Sequence, residues 1–170
     1  MDSIPSPQQN YALLRLASPI GRLELTADDQ GIVSLAIETG GHLPLETTPE
    51  SPSPVLLRAA EQLDEYFAGT RHFFDLPVHL IRGTEFQRSV WARLATIHYG
   101  DVISYGALGN DIGRAGSGRA IGGAVGANPI PIIIGCHRVL ATSGQITGYS
   151  AGQGIPTKAW LLDHEGIVHR

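Results

Sequence analysis

The chain has 170 residues, 42 % of them hydrophobic, a formal net charge of −4 and a single cysteine. That is enough apolar material for one compact unit or two small lobes, and no run approaches the roughly 20 apolar residues of a bilayer-crossing helix. One cysteine excludes an internal disulfide and a thiolate-rich zinc site and points to a reducing compartment, the cytoplasm; the first ten residues, MDSIPSPQQN, lack the basic and apolar regions of a secretory signal, so export is not expected.

Residues 11–16 and 22–26 alternate apolar and polar side chains around Ser18-Pro19-Ile20-Gly21, which predicts two strands joined by a turn, with a third strand over residues 32–37. Residues 38–54 are Gly, Pro, Thr, Ser and Glu with little periodicity, the composition of a mobile loop. Pro54 then opens a helix whose apolar stripe is Leu56, Ala60, Leu63 and Phe67, closed by Gly69. A second helix opens at Thr84, where the hydroxyl and Gln87 fit a capping box, and buries Phe86, Val90, Leu94 and Ile97. Residues 104–112 read as a short helix, 113–116 as a turn and 117–127 as a helix capped by Ser117, the spacing of a helix-turn-helix. Ile132, Ile133 and Ile134 follow Pro129 and Pro131 and read as a short buried strand broken by Gly135. A last helix starts at Pro156, carries Trp160 and Leu161, and ends at Gly166. The fold class is α+β: a small N-terminal α/β lobe of antiparallel sheet plus helix over residues 1–80, then a mainly helical C-terminal domain over residues 81–170.

Charge divides unevenly along this order. Residues 1–81 carry 4 basic and 11 acidic side chains, residues 82–138 carry 6 and 3, and residues 139–170 carry 2 and 2. A modest positive field, or a chance fluctuation, falls on the segment that holds Cys136.

In a strand, Cys136 and His137 would face opposite ways, so the pair meets only if the chain turns at Gly135 or a water links them. A thiol of pKa about 8.5 needs a base or a cation to become a good nucleophile, and His137 and Arg138 are suitable neighbours; the imidazole in turn needs a third group to fix its tautomer. An inert core cysteine fits these residues as well. The helix SGRAIGGAVGA spends Gly122, Gly123 and Gly126, each costing about 1 kcal/mol against alanine, so something approaches its backbone closely. A neighbouring helix and the rails of a narrow DNA groove both remain open, with Arg119 placed to reach into such a groove.

Taken together, GTEFQRSVWARLATIHYG, ISYGALG, GRAIGGAVGANPIPII, CHRVL, SGQITGYS and KAWLLDHEG resemble the O6-alkylguanine-DNA alkyltransferases over residues 83–166. The resemblance implies a suicide repair reaction on double-stranded DNA containing O6-alkylguanine, with O4-alkylthymine a second candidate substrate. The lesion base is flipped out and its alkyl group moves irreversibly to Cys136. It further implies His137 as base through a water and Glu165 as the group that orients it. Asn128 would hold the turn that carries the cysteine. Tyr105 would donate a proton toward the guanine ring and crowd the 3′ phosphate. Arg119 would occupy the vacated space in the duplex, with Ser117, Gly118, Ala120 and Gly123 along the minor groove. The carbonyls of Cys136 and Val139 would read the exocyclic amine, the Ser150 amide would contact O6, Tyr149 would wall the pocket, and Lys158 would support it. No cofactor and no metal is implied, because the cysteines that build a zinc site in some relatives are absent here. A monomer that can bind DNA cooperatively, without membrane contact, is expected.

Three departures stand out. Gly135 occupies the position where the family usually has proline, residues 150–156 form a longer loop by about two residues, and His98 stands where the family usually has IPYG's proline. Two other readings compete: a lesion-binding module without chemistry, and a thiol hydrolase using Cys136, His137 and Glu165.

Overall fold

The computed structural model describes residues 10–170; of the stretch read for export signals, residues 1–9 lie outside it. Strands β1 (Ala12–Leu16), β2 (Leu23–Ala27) and β3 (Ile32–Ile37) form an antiparallel meander in the order β1-β2-β3, with Leu14 opposite Leu25 and Leu25 opposite Leu35. The central strand is buried along its whole length, including Glu24. Residues 38–54 explain this: rather than hanging free, they are fastened over the sheet. Leu45 N donates to Glu24, Arg15 donates to the carbonyls of Leu45 and Thr48, and Ser51 exchanges backbone hydrogen bonds with Leu13. Arg15 also pairs with Glu24 at 3.0 Å, so the buried carboxylate has a cation beside it.

Helix α1 (Pro54–Phe67) starts at Pro54 and buries Leu56, Ala59, Gln62, Leu63 and Tyr66. The expected stripe is therefore shifted: Ala59 and Tyr66 replace Ala60 and Phe67 at the core. A helix that packs on a sheet and on a second lobe buries a broad face, and spacings of three and four are both used.

Helix α2 (Glu85–Leu94) has the Thr84–Gln87 capping box and buries Val90, Trp91 and Leu94. Trp91 Nε1 donates to the Ala124 carbonyl at 2.8 Å and fixes α2 against the glycine-rich helix. Strand β4 (Ile103–Ser104) leads into α3 (Tyr105–Asp111), and a turn leads to α4 (Gly118–Gly126). Ser104 caps α3, whereas Ser117 makes no side-chain cap to α4: its backbone, at φ −98° and ψ 39°, is not in the extended conformation from which a serine hydroxyl reaches the first turn. A 3₁₀ turn (Cys136–Arg138), strand β5 (Val139–Leu140) and α5 (Ile155–His164) complete the chain. β4 and β5 pair in parallel, Ile103 opposite Val139, which ties the entry of the helix-turn-helix to the exit of the cysteine turn.

The expected strand at the three isoleucines does not form. Ile132 has φ 73°, Ile133 N returns to the Pro131 carbonyl and Ile134 N to the Ile130 carbonyl, so the segment is a tight turn. Two prolines lack the N–H groups a ladder needs, and the Asn128 side chain closes the turn by accepting from Ile130 N and donating to the Ile134 carbonyl. A β-branched residue at positive φ is strained, and the full burial of Ile132 in the core holds it there. One continuous core runs from Leu25 and Leu63 through Val90 and Leu94 to Ile130, Val139 and Leu161.

Candidate active site

Gly135, at φ −74° and ψ 62° with Cys136 N donating to the Ile134 carbonyl at 2.8 Å, is the centre of an inverse γ-turn. The chain therefore turns before the cysteine and continues as a 3₁₀ turn, which brings Cys136, His137 and Arg138 off a strand geometry. Of the two alternatives open in the sequence, a turn at Gly135 or a linking water, the backbone takes the turn.

The three side chains take different roles. Cys136, 5 % exposed, reaches the floor of a cavity of about 730 Å³. Burial raises its pKa; Asn128, Tyr149 and the charge of Lys158 lower it without offsetting that effect, so the resting group is a thiol. Arg138 does not accompany the sulfur. Its guanidinium donates to Glu165 at 2.8 and 3.0 Å and to the Ile97 carbonyl at 2.6 Å, and the cation that acts on the thiol is Lys158.

His137 is fully buried and its Nε2–H donates to Glu165 Oε2 at 2.5 Å. This fixes the tautomer: Nδ1, buried without a hydrogen-bond partner among the described residues, keeps the lone pair and can accept a proton. Burial lowers the His137 pKa more than Glu165 raises it, so the imidazole is neutral near pH 7. Glu165 itself accepts from His137, Arg138, the Tyr66 hydroxyl at 2.7 Å and Gly100 N at 3.1 Å. Burial pushes its carboxyl up, but the hydrogen bonds and charges of His137 and Arg138 outweigh that and hold it well below the usual range. Tyr66 and Gly100 were not singled out in the sequence; Tyr66 sits in EQLDEYFAG as an ordinary helix residue, 99 positions from its partner.

The cavity is lined by Tyr105, Gly122, Asn128, Cys136, Tyr149, Ser150 and Lys158, with Ile37, Thr39 and Pro44 of the N-terminal lobe on its far side. Lys158, 1 % exposed, donates to the carbonyls of Val139 at 2.6 Å and Gly148 at 3.2 Å; burial lowers its pKa to about 8. Val139 is fully buried and does not line the cavity, and its carbonyl already serves Lys158. The loop over residues 150–156 docks on the N-terminal lobe: Thr39 Oγ1 donates to the Gly152 carbonyl at 3.0 Å. Gly152, at φ +57°, lies so close to Thr157 and Ile37 that a Cβ would collide with them.

Beside the cavity mouth, α4 exposes Gly118, Arg119, Ala120 and Gly123, and Ser117 is half-buried at its start. A Cβ added at Gly118, Gly122 or Gly123 would meet nothing within 4 Å, so no helix of this chain requires those glycines. Gly126 differs, since a Cβ there would strike Ser150 Oγ at 2.8 Å. Arg119 has no ion pair or hydrogen bond among the described residues.

The family described as 6-O-methylguanine DNA methyltransferase, DNA binding domain, matches residues 85–167, and its ribonuclease-like domain matches residues 11–80. The methylated-DNA–protein-cysteine methyltransferase of Mycolicibacterium paratuberculosis is 43 % identical over 145 residues, covering 85 % of this chain and 86 % of that protein. Among solved structures, the Mycobacterium tuberculosis O6-methylguanine methyltransferase superposes with a TM-score of 0.80 at 41 % identity, covering 92 % of this chain and 93 % of the other. The Mycobacterium tuberculosis OGT in complex with DNA gives 0.76 at 42 % identity, covering 89 % and 90 %.

Proposed function

The chain belongs to the 6-O-methylguanine DNA methyltransferase family, and from that premise we propose how its own residues carry out direct-reversal repair, in which the alkyl group of a damaged guanine passes to a cysteine. The observation that carries the reading is a buried thiol on a cavity floor, in the same turn as a neutral histidine whose tautomer a carboxylate fixes.

A base inside a duplex is out of reach and must be flipped, at a cost of a few kcal/mol that is smallest for a poorly paired, damaged base. The open glycine face of α4 lets the minor-groove rails come close, with Ser117, Gly118, Ala120 and Gly123 along them, and Arg119 enters the stack in place of the flipped base. Tyr105 at the mouth crowds the 3′ phosphate. Inside, Tyr149 walls the base, the Ser150 amide meets O6 and the Cys136 carbonyl faces the exocyclic amine, while the Val139 carbonyl, outside the cavity, holds Lys158.

His137 Nδ1 takes the thiol proton through one water, and the Cys136 sulfur attacks the alkyl carbon. The carbon–oxygen bond breaks as the carbon–sulfur bond forms, and the electron pair passes to guanine O6 and its ring, where Tyr105 supplies a proton. Hydrogen bonds that strengthen as this charge develops lower the barrier. The thioether is stable and no group in the site reverses it, so one molecule repairs one lesion. A nucleophile that must stay reduced and act on DNA suits the cytoplasm, and no described helix is long and apolar enough to cross a membrane.

The reading is tested by intact mass over time with duplex DNA bearing O6-methylguanine. Wild type gains one methylene, Cys136→Ala gains none, and His137→Ala gains it about 10²-fold more slowly or worse. Tight binding without any gain, or a His137→Ala rate equal to wild type, would contradict it.

A further inference from the structure

Three donors converge on one oxygen of Glu165. Oε2 accepts from His137 Nε2 at 2.5 Å, from the Tyr66 hydroxyl at 2.7 Å and from Arg138 Nη2 at 3.0 Å, while Oε1 takes Arg138 Nε and Gly100 N. Tyr66 is fully buried on α1, in the opposite lobe, among Phe67, Phe74, Tyr99 and His164. Packing alone would be met there by phenylalanine; the hydroxyl finds its partner on this one oxygen.

A carboxylate oxygen that accepts several hydrogen bonds has less charge to offer each donor. Resting on the reading of His137 as the base, we propose that Tyr66 is a positioning residue of the alkyl-transfer site: it competes with His137 for Glu165 Oε2 and so adds to burial in keeping the imidazole a neutral proton acceptor. The charged groups around the ring divide by sign. Arg138, on the same carboxylate, and Lys158, from α5, both disfavour a cation at His137, and Glu165 is the anion that favours one. Tyr99 spends its hydroxyl on the His164 carbonyl at 3.1 Å, leaving Tyr66 as the neutral donor that a substitution can remove without removing a charge.

The test is Tyr66→Phe, read as the pH profile of the single-turnover rate of Cys136 methylation by O6-methylguanine duplex. With one competitor gone, Glu165 stabilises the imidazolium better and the His137 pKa rises. The acidic limb then moves upward by about half to one pH unit, the worth of one hydrogen bond, and the rate on that limb falls several-fold while the plateau at higher pH changes less than about twofold. An unmoved limb, or an equal loss at every pH, overturns the proposal. Should the variant be too unstable for kinetics, the nitrogen chemical shifts of His137 are titrated below its unfolding temperature. An upward shift supports the proposal and no shift overturns it. His137→Ala run alongside separates the two layers. If it keeps the wild-type rate, the base assignment fails; if it loses the rate while the Tyr66→Phe profile is unmoved, only the role of Tyr66 fails.

Discussion

At the scale of single residues, Glu165 links the proposed chemistry to stability. It is a buried anion whose partners all donate to it, so replacing it strands the Arg138 guanidinium, and breaking such a buried pair costs about 3–5 kcal/mol. Glu165→Gln should lower stability at neutral pH by roughly that amount in denaturant unfolding. Its pH signature follows from the depressed carboxyl. The stabilisation is complete above about 4.5, the ordinary glutamate value, and is lost as pH falls below it toward the lower folded value. Wild type should therefore lose stability steeply below that pH and Glu165→Gln should lack this component; parallel curves would contradict the ion-pair account. Gly135 is the other decisive residue. Its φ of −74° already suits proline, so what a proline would change is the space beside it. A Cβ at Gly135 would come within 3.0–3.2 Å of Arg138 Nη1, Cδ and Cζ, and Arg138 is held by Glu165 and Ile97 and cannot yield freely. Gly135→Pro gains about 0.4–1 kcal/mol from a stiffer unfolded chain but incurs about 1–3 kcal/mol of overpacking, so a net loss of stability is expected from thermal unfolding.

At the scale of elements, α4 is the part whose composition contradicts its stability. Gly123 projects into open space, so Gly123→Ala should stabilise the helix by about 1 kcal/mol, while Gly123→Leu should weaken duplex binding with little change in fold stability. Unchanged duplex affinity in the leucine variant would remove the groove as the reason for the glycine. Arg119→Ala should keep thiol reactivity toward free O6-benzylguanine and lose repair of duplex DNA; equal loss of both would contradict its place in the stack. The elements also mark where sequence reading ends. The Thr84–Gln87 box and the third strand are local signals, and both stand where the sequence places them. The turn over residues 130–138 carries two competing local signals: three isoleucines favour a strand, and the Asn128 clamp and two missing N–H groups fold them back. Likewise Ser117 has the right residue type for a cap but a backbone that cannot use it.

At the scale of the whole molecule, the two lobes share one core and one site. Tyr66 reaches Glu165 from α1, Thr39 holds the Gly152 loop, and Ile37 and Pro44 close the far side of the cavity. None of these contacts was legible in the sequence, since each joins residues about a hundred positions apart whose own neighbourhoods give no sign of a partner. Cys136, His137 and Glu165 were legible, because their spacing follows the motifs of the resemblance. A shared core predicts that both lobes unfold in one calorimetric transition; two separated transitions would contradict it. The central claim is that Cys136 takes the alkyl group once and keeps it. Titrating the protein with excess O6-methylguanine duplex and mapping the modified peptide tests it most directly. The account predicts a plateau at one methyl per chain, on the peptide containing Cys136, with an equal amount of guanine restored. Guanine formed beyond one equivalent, or a methyl on any other residue, would contradict it.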